Sequence, residues 1–158
     1  MEDTTLARMM ELKQQGYYCS QILMIMGLEL QGKENPDLIR AMHGLAGGLG
    51  FSGETCGALT GGACLLALYT GKGRPSDEEH QSINPMIIDL VEWFKNGYGQ
   101  EYGTASSYSI RCEDITTGHA QNIATRCPRM VAGTFQKVKE LLVENGIDLA
   151  GVIDESDD

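Results

Sequence analysis

The chain has 158 residues, a formal net charge of -10, 20 glycines and five cysteines. Its length fits one domain that buries a core without disulfide crosslinks, and its negative field disfavours nucleic acid as a partner. No apolar run approaches the roughly 20 residues that a membrane-spanning helix needs, so no membrane contact is expected.

The sequence opens at Met1 without a basic or long apolar leader, which predicts a soluble cytoplasmic protein. Thiols in that compartment are reduced at rest. An odd cysteine count fits this view better than a secreted, disulfide-linked scaffold. We expect one domain over residues 1–158, in which residues 147–158 form a solvated acidic tail.

The first third of the sequence predicts three helices. One begins at residue 3 or 4 and ends at Gly16, and a second begins at residue 19 or 20 and ends at Gly27. Asn35-Pro36 marks a third start, because proline at the first helical position loses no needed hydrogen bond.

A glycine-rich stretch over residues 44–53 follows, and then a predicted helix over residues 54–69. The glycines could bind an anion through backbone N–H groups, cradle cluster sulfides, or let two helices touch. Small residues also recur along Gly57 to Gly62 in the helix, which allows another backbone to approach closely.

The second half predicts a helix that opens at Asn84-Pro85, a loop over residues 97–109 and a short helix near Cys112. Cys127-Pro128 is predicted to open the last helix, which ends at Gly146. Its apolar stripe has the 3.6-residue period of an α-helix: Val131, Phe135, Val138 and Leu142. The sequence therefore predicts an all-α, single-domain bundle of about six or seven helices.

Four of the five cysteines fall where a helix is predicted to begin. A helix N-terminus and a nearby cation both lower a thiol pKa, and Arg111 and Arg126 each precede one of these cysteines. The four are Cys19, Cys56, Cys112 and Cys127.

The remaining candidates are weaker. Cys64 is predicted within a helix, where a lone cysteine is typically a small buried hydrophobe. His43 could face the Cys56 region and His119 could act as a fourth ligand, but neither belongs to a metal-binding motif. An ordinary structural role is the simpler interpretation of both histidines.

The sequence resembles the C-GCAxxG-C-C family of redox-active proteins over about residues 16–146. The central element is Cys56-Gly57-Ala58-Leu59-Thr60-Gly61, and Cys19, Cys112 and Cys127 match the flanking cysteines in order. The resemblance implies that these four are the functional thiols and leaves Cys64 outside the pattern. It implies no specific reaction.

Three functions of the cysteines remain open, beside a plain helical partner-binding protein whose thiols are only buried. In the first, all four cysteines ligate an iron–sulfur cluster and the protein transfers electrons, since a Cys₄ set suits such clusters. In the second, no metal is bound, Cys56 attacks a disulfide, and Cys112 or Cys127 resolves the product. The third is a non-enzymatic Cys₄ zinc module, which is less typical without a CxxC pair.

The first two functions make the chain an electron carrier or an oxidoreductase, and they imply an unidentified redox partner protein. Self-association is a further prediction. The glycine-lined helix over residues 57–62 and an aromatic loop offer surfaces on which subunits could pack. The loop aromatics are Tyr98, Tyr102 and Tyr108.

Overall fold

The computed structural model describes residues 2–102 and 109–151. Within them the chain is an all-α single domain without a β-strand, as the sequence predicts. A 3-10 turn over His43–Leu45 extends α3, and a π-helical turn over Lys95–Gly99 joins α5 to α6. The helices are α1 (Glu2–Gln14), α2 (Cys19–Leu30), α3 (Pro36–Met42), α4 (Gly57–Thr70), α5 (Ile83–Phe94), α6 (Gln100–Tyr102), α7 (Cys112–Thr116) and α8 (Ala120–Glu144).

Two helices with few polar residues, α2 and α4, form the centre of the bundle. Such helices bury most of their surface because they have no polar face to offer to water. Glycines bring the two backbones together. A Cβ on Gly61 would lie 3.0 Å from Ser20 Cα, and one on Gly27 would lie 2.1 Å from Leu65 Cδ1. The glycines of residues 57–62 therefore pack against other parts of the same chain and not against a second subunit. Self-association itself stays a prediction.

The amphipathic helix α8 packs against this centre. All four residues of its predicted stripe are buried. A Cβ on Gly62 would lie 2.6 Å from Thr134 Cγ2, so the glycine lets α8 approach α4 closely. The helix ends as predicted, because Gly146 has a φ of 77° and the Ile147 N–H donates to the Leu142 carbonyl.

The predicted start of α8 is wrong, because α8 begins at Ala120 and Cys127-Pro128 lies inside it. The break between α7 and α8 falls earlier, where Thr117 and Gly118 both have positive φ. The Asn122 amide then donates to the Thr116 carbonyl at 3.0 Å and to Thr117 Oγ1 at 2.9 Å. These contacts fix the first turn of α8, and the helix tolerates the later proline.

The predicted loop over residues 97–109 is also partly wrong, since helix continues to Tyr102 through the π-helical turn. Aromatic packing stabilises this extension. The Tyr98 ring lies 5.3 Å from the Phe94 ring and stacks on Tyr102 at 6.2 Å. Tyr108 lies outside the described residues.

The beginning of the predicted acidic tail is packed against the bundle. Ile147 and Leu149 contact the core, and the Tyr69 hydroxyl donates to the Leu149 carbonyl at 2.6 Å. The acidic residues 154–158 lie outside the described part of the chain. None of the described helices has the length and hydropathy that crossing a membrane requires.

Candidate thiol site

An isolated β-bridge between Thr55 and Arg111 brings Cys56 and Cys112 together. The Cys56 N–H donates to the Ile110 carbonyl at 2.8 Å, and the Cys112 N–H donates to the Glu54 carbonyl at 2.6 Å. Two short antiparallel segments, far apart in sequence, thus hold the two cysteines on neighbouring backbones.

The glycine stretch before Cys56 is a compact, internally bonded turn. A Cβ on Gly48 would lie 2.5 Å from the backbone N and O of Glu54, so this contact requires glycine. The N–H groups of residues 49–54 all donate to carbonyls within residues 44–49. Those groups are therefore not free to bind an anion, and that interpretation of the stretch is wrong for them.

Cys19 is the first residue of α2, as predicted, and its thiol packs against the start of α4. A Cβ on Gly57 would lie 2.6 Å from Cys19 Sγ and 2.9 Å from the Leu45 carbonyl oxygen. Because Gly57 directly follows Cys56, this contact places Cys19 beside Cys56. Cys56 itself is the N-cap of α4, and Cys112 is the first residue of α7.

All four of these cysteines line one cavity of about 460 Å³. Cys127 reaches it from the interior of α8, together with Ile123 one turn earlier. The thiols are free, and no disulfide joins them. Much of the remaining wall is apolar: Met9, Ile22, Phe51, Ala58, Ile115, Ile123, Met130 and Val131.

The weaker candidates lie elsewhere. Cys64, His43 and His119 are not part of the cavity lining. Exposed His43 contacts the Tyr18 ring at 5.2 Å, and exposed His119 is the N-cap residue of α8. Among the described residues, no three His, Cys, Asp or Glu side chains form a group that could hold one metal ion.

Burial raises the pKa of every cysteine thiol. The rise takes the pKa of Cys127 to about 12, where the neighbouring Cys19 and Cys112 add to the effect of burial. Cys56 is 5% exposed, and burial likewise raises its pKa. Desolvation thus outweighs the helix N-termini, so the expected lowering of the pKa is wrong and these thiols are protonated at neutral pH.

The two arginines next to the cysteines in sequence are engaged with other groups. Arg111 pairs with Glu113 at 3.2 Å and with Glu54 at 3.5 Å. Arg126 donates to the Ile115 carbonyl, and its guanidinium lies 4.6 Å from the centre of the Tyr102 ring. The prediction that Arg111 and Arg126 are the cations that act on the cysteines next to them in sequence is therefore wrong.

Other groups act on the thiols, and two of them come from distant parts of the sequence. Lys13 of α1 lines the cavity, and its charge opposes the rise in the Cys127 pKa. The backbone N–H of Gly47 likewise opposes the rise in the Cys19 pKa by hydrogen bonding to that thiol. The sequence gives no local signal for either, because each meets its cysteine only through the fold.

The fold and the site together indicate the class of protein, an all-α bundle in which four free cysteine thiols line one cavity. The chain belongs to the family described as "Putative redox-active protein (C_GCAxxG_C_C)", whose model matches residues 17–141. The resemblance seen in the sequence is thereby confirmed. Comparisons with curated proteins and with solved structures found no match.

Proposed function

We propose that this redox-family member is an electron-transfer protein in which Cys19, Cys56, Cys112 and Cys127 ligate an iron–sulfur cluster. The supporting observation is that all four thiols line one cavity of about 460 Å³. Four cysteine thiolates are the ligand set of [2Fe–2S] and [4Fe–4S] clusters, so the donor chemistry fits. When bound, such a cluster accepts and returns an electron.

The surroundings of the thiols suit a buried anionic centre. Helices α2 and α4 both begin at the cavity, and the positive ends of their dipoles favour thiolate over thiol. A coordinated metal deprotonates a thiol outright, so ligation would reverse the effect of burial and release protons. Apolar walls limit solvent access, which is one of the ways a protein sets a cluster's potential.

The two alternatives fit the cavity less well. A zinc module needs four sulfurs about 2.3 Å from one ion, whereas no three His, Cys, Asp or Glu side chains of the described residues are grouped to hold one metal ion. Thiol–disulfide exchange needs a thiolate, but burial raises the pKa of Cys56, the attacking thiol of that hypothesis. Cys112 is half-buried and more accessible, so it is the better attacking candidate if no metal binds.

Anaerobic purification tests the proposal directly. We expect a coloured protein with stoichiometric iron and sulfide and a spectrum that bleaches on reduction. A colourless protein, still lacking iron and sulfide after cluster reconstitution, would contradict the proposal and favour thiol–disulfide exchange. Stoichiometric zinc without redox activity would favour the structural module.

The partner protein and the cytoplasmic location stay predictions from the sequence.

A further inference from the structure

Helix α1 lies outside the residues that match the family, yet it forms part of the cavity wall. Met9 and Lys13, one turn apart, both line the cavity. Met9 and Leu12 are each 1% exposed, and Arg8 Nε donates to Glu29 Oε1 of α2 at 3.0 Å. These contacts anchor α1 and thereby hold Lys13 at the cavity.

Lys13 is also the uncompensated charge of the described lining. The other charged side chain there is Glu113, which Arg111 neutralises. Lys13 makes no ion pair with any described residue, in contrast to Arg111. In a chain with a net charge of -10, an unpaired cation at this cavity is a local exception to the negative field.

We propose that α1 closes the thiol cavity and that Lys13 is its counter-charge, a positive charge that favours anionic species at the four cysteines. Two consequences follow. Anionic small molecules reach the free thiols faster than neutral ones of similar reactivity. In the cluster-loaded protein, Lys13 raises the reduction potential, because reduction adds negative charge near a cation. Only the second consequence depends on the proposed function.

The first consequence is tested on reduced, metal-free protein with two disulfide reagents, dianionic dithiobis(nitrobenzoate) and neutral dithiodipyridine. In each case a protein thiolate attacks one reagent sulfur, forms a mixed disulfide and releases one aryl thiolate. The informative quantity is the rate with the dianionic reagent divided by the rate with the neutral reagent. The fraction of thiolate cancels from this ratio. Lys13→Met should lower the ratio about threefold at low salt and much less at high salt, whereas Lys13→Arg should preserve it.

Lys33→Met is the matched control, because Lys33 is exposed like Lys13 but lies outside the cavity lining. An unchanged ratio in Lys13→Met, or a ratio that falls equally in the control, would overturn the proposal. A uniform slowing with both reagents would also do so, since it would indicate altered structure and not lost charge.

The second consequence is measured as the midpoint potential of loaded protein. Lys13→Met should shift the reduction equilibrium about threefold toward the oxidised form at low salt, and Lys13→Arg should restore it. If loaded wild type and loaded Lys13→Met have the same midpoint potential, the proposed role of Lys13 is contradicted, whereas the proposed cluster is not. If wild type takes up no cluster, the proposed function fails and the reagent ratio alone decides the role of Lys13.

Discussion

At the scale of single residues, the four cavity thiols differ from Cys64 in position and not only in motif. Cys112 lines the cavity, whereas Cys64 is half-buried on α4 away from it. We therefore expect Cys112→Ala to reduce cluster iron by at least about tenfold, because ligation loses one of four thiolates. Iron and sulfide analysis after identical reconstitution measures this.

Cys64→Ala is the matched control, since it removes a thiol of similar burial from the same chain. It should retain the full iron content and an unchanged spectrum. Equal loss of iron in both variants would contradict the assignment of the site, and full retention in Cys112→Ala would remove Cys112 from the ligand set.

Burial of the thiols also predicts how the stability of the metal-free protein depends on pH. In the folded state the pKa of Cys127 is raised to about 12 from an ordinary value of 9.0. At a pH below the ordinary pKa, the Cys127 thiol is protonated in both the folded and the unfolded state. Its full contribution to the free energy of unfolding is then present. As pH rises between the two values, the unfolded chain loses its proton first, so the stability of the fold decreases.

Urea unfolding at about pH 8 and about pH 10 measures this dependence. Lysines and tyrosines titrate in the same range, so the informative quantity is the difference between wild type and Cys127→Ser. The variant should lose less stability between the two pH values. An equal loss in both proteins would show that Cys127 is not desolvated in the fold.

At the scale of helices, the contact between α2 and α4 depends on Gly57. Gly57→Ala would place a Cβ 2.6 Å from Cys19 Sγ and 2.9 Å from a backbone carbonyl, which cannot move freely. We expect a loss of about 1–3 kcal/mol in the free energy of unfolding, together with a displaced Cys19 and a lower cluster content. Urea unfolding and iron analysis measure the two effects.

Gly44→Ala is the control, because a Cβ at Gly44 would meet nothing within 4 Å and Gly44 lies in the 3-10 turn at the start of the glycine stretch. It should be neutral or slightly stabilising, since alanine restricts the unfolded chain. If Gly57→Ala proved as mild as Gly44→Ala, the proximity of Cys19 to the start of α4 would be wrong.

The sequence predicts helices well where the signal is local. The Asn35-Pro36 start, the α8 stripe and the Gly146 stop are all confirmed, because a cap, a period and a left-handed glycine act within one or two turns. The α8 start is missed because Cys127-Pro128 imitates a helix opening. The determining contact joins the Asn122 side chain to the Thr116 backbone carbonyl, and no periodic pattern in the sequence reports it.

The candidate site likewise has one part that the sequence predicts and one part that it does not. The identity of the candidate cysteines is readable from their spacing and the CGAxxG element, and the structure places all four at one cavity. Their electrostatics is not readable, because it depends on burial and on distant neighbours. Arg111 is adjacent to Cys112 in sequence but pairs with Glu54 and Glu113, while Lys13 reaches the cavity from α1.

At the scale of the whole molecule, the cavity lies where α1, α2, α4, α7 and α8 meet. Each ligand candidate belongs to a different segment, so one bound group would crosslink segments that otherwise meet mainly through packing. A group that binds only the folded chain stabilises it by mass action. Cluster binding and folding should therefore be strongly coupled in this protein.

This coupling makes a prediction that is independent of colour. Anaerobically loaded protein should melt at least about 5 °C above the metal-free protein, as measured by calorimetry or circular dichroism. Cys19→Ala should abolish the difference, because it disconnects α2 from the site, whereas Cys64→Ala should keep it. Equal melting temperatures of verified loaded and metal-free wild type would mean that the cluster binds outside the folded core. In that case the cavity would not be its site, even if iron and sulfide were stoichiometric.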